Sequence, residues 1–130
     1  MGAGSSAELP AFVDDVEAHV VALLSYTPGN VKKRLSIEGA HLSDEFADAF
    51  AKLTSTVIAP DASKYDVTVK AKAVSSGLSS IRDSEALVLV FVETTTTSKR
   101  LAEPRVDGAR LRVSVVKVDG KWLISELDPV

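Results

Sequence analysis

The end of the chain, Ala109 to Leu127, constrains it most, and reads ARLRVSVVKVDGKWLISEL. Two apolar, β-branched runs flank Asp119-Gly120, residue types that tolerate the positive φ angles of a two-residue hairpin turn. A two-stranded hairpin is marginal in water by itself. The rest of the chain therefore has to supply strands that extend the sheet and helices that cover one face of it.

At 130 residues the chain suits one domain with a substantial core. Residues 1–7, MGAGSSA, read as a flexible linker or a scar of cloning, and residues 8–130 as a single domain. Hydrophobic residues at 45% and charged residues at 25% argue against wholesale disorder. The net charge of −3 argues against a dedicated nucleic-acid binder, which leans on a basic surface. The absence of cysteine removes disulfides, thiolate metal ligands and cysteine nucleophiles together. The longest apolar run, Ala86 to Val92, is strand length, short of the roughly 20 residues of a membrane span. The first residues lack the basic and apolar regions of a signal peptide.

Leu9, Phe12, Val13, Val16, Val20, Leu23 and Leu24 form one helical stripe, predicting a helix over residues 9–25 with Pro10 in its first turn. Thr27 and Pro28 predict a short second helix through Val31 and Leu35, closed by Gly39. Ser43 then caps a third helix with a stripe of Leu42, Phe46, Ala49, Phe50, Leu53 and Val57, ended at Ala59-Pro60. From Tyr65 the period changes to two, which predicts a strand with Tyr65, Val67, Val69, Ala71 and Ala73 on its dry face. Ser75-Ser76-Gly77 marks a bend or bulge and Arg82-Asp83-Ser84 a turn. Ala86–Val92 reads as a central strand covered on both faces and continued by four threonines. Ser98–Gly108 reads as a long mobile loop. In the last hairpin Leu111, Val113 and Val115 face inward. The parity slips at Val116 and Val118, and Trp122 and Ile124 lie opposite Leu123 and Leu127. Helices first and antiparallel strands after give an α+β class, with about four curved strands wrapping the N-terminal helix.

No catalytic, cofactor-binding or metal-binding set emerges. His19 and His41 are the only histidines, and neither has a second histidine at metal-binding spacing, so both read as structural. Asp14-Asp15 and Asp44-Glu45 are adjacent pairs that diverge by about 100° on a helix and serve its positive end instead. The serines lack a nucleophile elbow, and no glycine-rich phosphate loop appears. Lys99, Arg100, Arg105, Arg110 and Arg112 read as a solvated sheet edge, or more sharply as a docking surface for an acidic partner or anionic lipid headgroups. Trp122 reads as a packing residue.

The run ALVLVFVETTTTSKR, the Pro-containing loop and the final RLRVSVVKVDGKWLISELDPV resemble the actinobacterial Mce-associated membrane proteins. The matching positions are Val115, Val118, Asp119, Gly120, Trp122, Leu123, Ile124, Ser125, Leu127, Pro129 and Val130. Ala22-Leu23-Leu24-Ser25-Tyr26 matches the end of that family's first helix, whereas Leu42–Phe50 keeps only Phe46 of its next motif. The resemblance implies a nuclear transport factor-like cone and a single-pass envelope protein, with this domain on the extracytoplasmic side and its anchor N-terminal to the chain. It further implies a non-enzymatic accessory role in Mce-type lipid import, through Mce-complex proteins and with no cofactor. A homodimer through the open face of the sheet fits the same architecture. The competing expectation is a hydrophobic small-molecule binding protein or enzyme using the pocket of the cone, for which Tyr26, Tyr65 and Glu93 are the candidate ionisable groups.

Overall fold

A computed structural model describes residues 10–130. The expected linker and Leu9 lie outside the described residues. The first helix, α1, spans Ala11–Leu24 and buries Val13, Val16, Val20 and Leu23, the three- and four-residue steps of one face. Pro10 sits just before it, and the Val13 N–H donates to the Pro10 carbonyl at 3.0 Å.

Thr27 and Asn30 then cap each other reciprocally. The Thr27 N–H donates to Asn30 Oδ1 at 2.7 Å and the Asn30 N–H donates to Thr27 Oγ1 at 3.2 Å. The next helix, α2, covers Lys33–Glu38. Gly39 does not close it: the glycine keeps right-handed dihedrals, and the chain runs on as a 3₁₀ turn over Gly39–His41. That extra turn decides where His41 lies.

Helix α3, Asp44–Leu53, starts as its sequence predicts, with Ser43 Oγ accepting from the Phe46 N–H. Its end differs from expectation. The chain passes Ala59-Pro60 without stopping, through a π turn at Thr54–Ile58 and into α4, Ala59–Tyr65. The wider turn pairs the Ala59 N–H with the Thr54 carbonyl and leaves Pro60 at the start of a new α segment, where its missing N–H is harmless. The expected stripe also rotates: Phe46 and Phe50 pack on the core and Thr54 is buried, while Leu53 and Val57 are about half exposed. Asp66 in the left-handed region ends α4, so Tyr65 closes a helix and does not open a strand.

Four strands follow in a simple antiparallel meander, β1 Thr68–Arg82, β2 Glu85–Thr97, β3 Arg105–Val118 and β4 Lys121–Pro129, ordered β1-β2-β3-β4. β1 is bulged near Val74 and again near Ser79, close to the expected bend. Asp83-Ser84 makes the first hairpin turn. The presumed long loop shrinks to Ser98–Pro104, because Arg105–Gly108 pair with Glu93–Thr96 as strand. At the last turn Val118 pairs with Lys121, and Asp119 and Gly120 take φ of +50° and +81°, as the hairpin reading requires. The parity slip belongs to β4: Ser125 is the extra residue, and past it Leu127 pairs with Val113 and joins Ile124 on the core side. The expected opposition of Ile124 and Leu127 is therefore reversed.

α1 lies on β1 and β2, and its stripe fills the space over Val88, Val90, Val113, Val115 and Ile124, all at most 1% exposed. A smaller cluster of Val31, Ala59 and Ala62 sits under Tyr26, Ile58 and Val67. Tyr26 joins the layers, since its backbone exchanges hydrogen bonds with Val69 at 2.8 and 2.9 Å.

The two ends of β3 give a contrast in glycine. Gly120→Ala puts a Cβ on a left-handed residue and should lower stability by about 1 kcal/mol. Gly108→Ala, where an added Cβ meets nothing within 4 Å, should stay within about 0.5 kcal/mol of the parent. Urea denaturation of the two variants measures both.

Candidate functional site

The sheet has two faces with different fates. Val88, Val90 and Val92 of β2 point into the core, but Leu89 and Phe91 are 39% and 40% exposed on the other face. The expectation that β2 is covered on both sides therefore fails. Its cause is the pairing register, which sets Gly77 beside Leu89 and Ser75 beside Phe91 on one flank, side chains too small to cover them. On the other flank Arg112 pairs with Leu89 and Arg110 with Phe91, both guanidinium side chains exposed. An open groove of about 620 Å³ runs here, lined by Val74, Phe91, Glu93, Arg110, Pro129 and Val130.

The basic residues singled out in the sequence separate into two settings. Arg100 stacks over the Tyr65 ring at 4.6 Å and Arg105 donates to Asp107 at 2.9 Å, at one end of the sheet. Arg110 and Arg112 stand in the open face without an ion pair among the described residues. The open face is thus an apolar stripe with a cationic border, the composition of an interaction surface.

The candidate groups for chemistry inside the cone do not meet there. Glu93 lies on the open face, 3.9 Å from Lys72. Tyr65 carries Arg100 and Lys64 over its ring. Over β2 and β3 the space beneath α1 is filled by aliphatic side chains, and none of Tyr26, Tyr65 and Glu93 lines the cavity between α1 and β4.

Tyr26 borders a buried arginine that the sequence did not advertise. Arg34, 7% exposed, donates through Nη1 to the Leu23 carbonyl at the end of α1 and packs over the rings of Tyr26 and Phe50 at 5.0 and 5.2 Å. Its Nε and Nη2 are buried with no hydrogen-bond partner among the described residues. Burial pushes the guanidinium down from its ordinary value, against the pull of Tyr26 and Glu38. Burial also pushes the Tyr26 phenol up, partly offset by Arg34 and helped by Asp61.

His19 and His41, read separately as structural, are neighbours in the fold. Their rings stack with centroids 3.7 Å apart, and His19 Nδ1 lies 3.2 Å from Glu38 Oε1. Beside them a cavity of about 350 Å³ is lined by Phe12, Asp15, His19, His41 and Trp122, with Trp122 stacked on Phe12 at 4.5 Å. Only the run-on of α2 into its 3₁₀ turn brings His41 to α1, and nothing local in the sequence announces that.

Comparison with known proteins places this geometry. No family model matches the chain. "Outer membrane protein Rv1973" of Mycobacterium tuberculosis is 33% identical over 109 residues, 84% of this chain and 68% of that protein. The chain belongs to that protein's family. "Uncharacterized protein Rv1362c" of the same organism is 34% identical over 110 residues, 85% of this chain. The chain spans about half the length of this second relative, at 50%. Among solved structures, an IcmL-like type IV secretion system protein from Legionella pneumophila superposes with a TM-score of 0.73 at 11% identity, covering 88% of this chain and 86% of that one. The shared fold is the α+β, nuclear transport factor-like arrangement of helices on a four-stranded antiparallel sheet.

Arg34→Ala removes a charge-assisted hydrogen bond and two ring contacts, and should cost about 2 kcal/mol in urea denaturation. A raised phenol pKa means the folded state holds its proton longer than the unfolded chain. Its contribution is complete below the ordinary tyrosine value of 10.0 and is lost as pH rises through the folded value. Ultraviolet titration should show Tyr26 ionising later than free tyrosine, and later still in Arg34→Met.

Proposed function

We propose that this domain is a non-enzymatic protein-interaction module of the actinobacterial cell envelope, an accessory and stabilising component of Mce-type lipid-import complexes. The observation that carries the reading is the unpartnered sheet face, where Leu89 and Phe91 stand open between small β1 residues and the arginines of β3. Two exposed anchors with a charged border are the usual make-up of a protein contact. An aliphatic core over β2 and β3, with Tyr26, Tyr65 and Glu93 all outside the cavity beside α1, supports binding over catalysis.

The family relative named as an outer membrane protein supports an envelope location, and a fold shared with a secretion-system protein supports work within a multi-protein assembly. Among the described residues no helix is long and apolar enough to cross a membrane. In this reading the domain stands on the extracytoplasmic side, tethered by a single-pass anchor N-terminal to it, and binds Mce-complex proteins through its open face. The resemblance of the final hairpin, Val118-Asp119-Gly120 through Trp122-Leu123, to the Mce-associated pattern supports that choice of partner.

Affinity capture of the full-length protein from native membranes should recover Mce-complex components. A Leu89→Asp/Phe91→Asp variant should lose them while keeping its circular dichroism, since both side chains already face water. Capture that recovers no Mce component with the parent protein would sink the proposal.

A further inference from the structure

His19, Glu38 and His41 come from three separate elements: the body of α1, the last residue of α2 and the last residue of the 3₁₀ turn. One ligating atom from each lies within 4.8 Å of the other two. Zinc–nitrogen bonds of about 2.0–2.1 Å in a tetrahedral array set donor atoms about 3.4 Å apart with both imidazole lone pairs aimed at the ion, so the two rings, stacked within 19° of parallel, turn out of their stack to close the set. We propose that these three residues form a site for a zinc-class divalent cation, with its remaining coordination position open to the adjoining cavity.

The donor chemistry selects the class of ion. Two imidazoles and one carboxylate suit borderline first-row cations, zinc foremost, with cobalt, nickel and copper as competitors. Magnesium and calcium prefer sets made wholly of oxygen. With neutral imidazoles the set carries one negative charge, which a divalent cation reverses. The residues are half-buried, with His19 and Glu38 side chains 26% and 13% exposed, so an ion can enter and still be partly shielded from water.

A purely structural account leaves part of the arrangement unused. Glu38 satisfies one nitrogen of His19, whereas the His41 ring is held by its stack on His19. The open side of the pair faces the cavity beside Trp122, and Asp15 lines that cavity one helical turn ahead of His19. Three protein donors with a vacant position and a nearby carboxylate are the pattern of an open zinc site. A bound ion would tie the end of α2 and the 3₁₀ turn to α1, adding a cross-link to a chain that has no cysteine.

The chain has only two histidines and one tryptophan, which makes the test clean. Protein carrying no histidine tag, stripped with chelator, is titrated with zinc by calorimetry and with cobalt by visible absorption. One equivalent should bind, with the intense d–d bands of low-coordinate cobalt and a change in Trp122 fluorescence. Saturating zinc at about a hundredfold excess over its dissociation constant should raise Tm by about 10 °C. His19→Asn, His41→Asn and Glu38→Gln should each weaken binding at least tenfold.

Should a variant fail to fold, the parent protein still decides the matter. Zinc should protect both histidines from diethylpyrocarbonate, and magnesium should not. One-equivalent zinc binding that survives in the His19→Asn/His41→Asn double variant, or zinc that leaves Tm and histidine modification of the parent unchanged, overturns the site.

Discussion

The contact between α1 and the inner face of the sheet holds the molecule together. Val13, Val16, Val20 and Leu23 meet Val88, Val90, Val113 and Val115 with almost no exposure. Each fully buried aliphatic side chain contributes on the order of 1.5–3 kcal/mol before conformational entropy is counted. No disulfide reinforces the contact, and the strands pair only with sequence neighbours, so α1 is what gives the meander an inside. Every functional feature is placed relative to that decision. The open face is the side α1 does not reach, and the histidine pair sits where α1 passes the 3₁₀ turn.

Features set by local chemistry were readable in the sequence. Ser43 caps a helix because its hydroxyl reaches the Phe46 N–H, and Asp119-Gly120 turns a hairpin because both accept positive φ. The α+β class followed from the change of period near residue 65. What escaped reading depends on register or on a single inserted residue. The bulge at Ser125 swaps the face of Leu127, and the π turn at Thr54–Ile58 carries the helix past a proline. Neither leaves a compositional mark.

The site was less legible than the fold for the same reason. Leu89 and Phe91 look like residues of a doubly covered strand, and only their pairing with Gly77 and Ser75 shows them to be open. Arg34 looks like a solvated helix residue, yet the path of the chain buries it against Leu23, Tyr26 and Phe50. His19 and His41 carry no mutual signal because their meeting is a tertiary event. The hairpin motif, by contrast, is local, and it announced the end of the sheet directly.

The order of elements has a consequence for how the chain matures. Synthesis proceeds from the N-terminus, so the valine stripe of α1 leaves the ribosome well before the strands that bury it. Until β1 and β2 have formed, that stripe lacks the strands it lies on. Each sheet hairpin can close quickly from adjacent residues, whereas the docking of α1 waits for β1 and β2, and the covering of its core for β3 and β4 as well. A chain threaded across a membrane before folding would therefore keep its helix undocked during passage, and complete its core only on the far side.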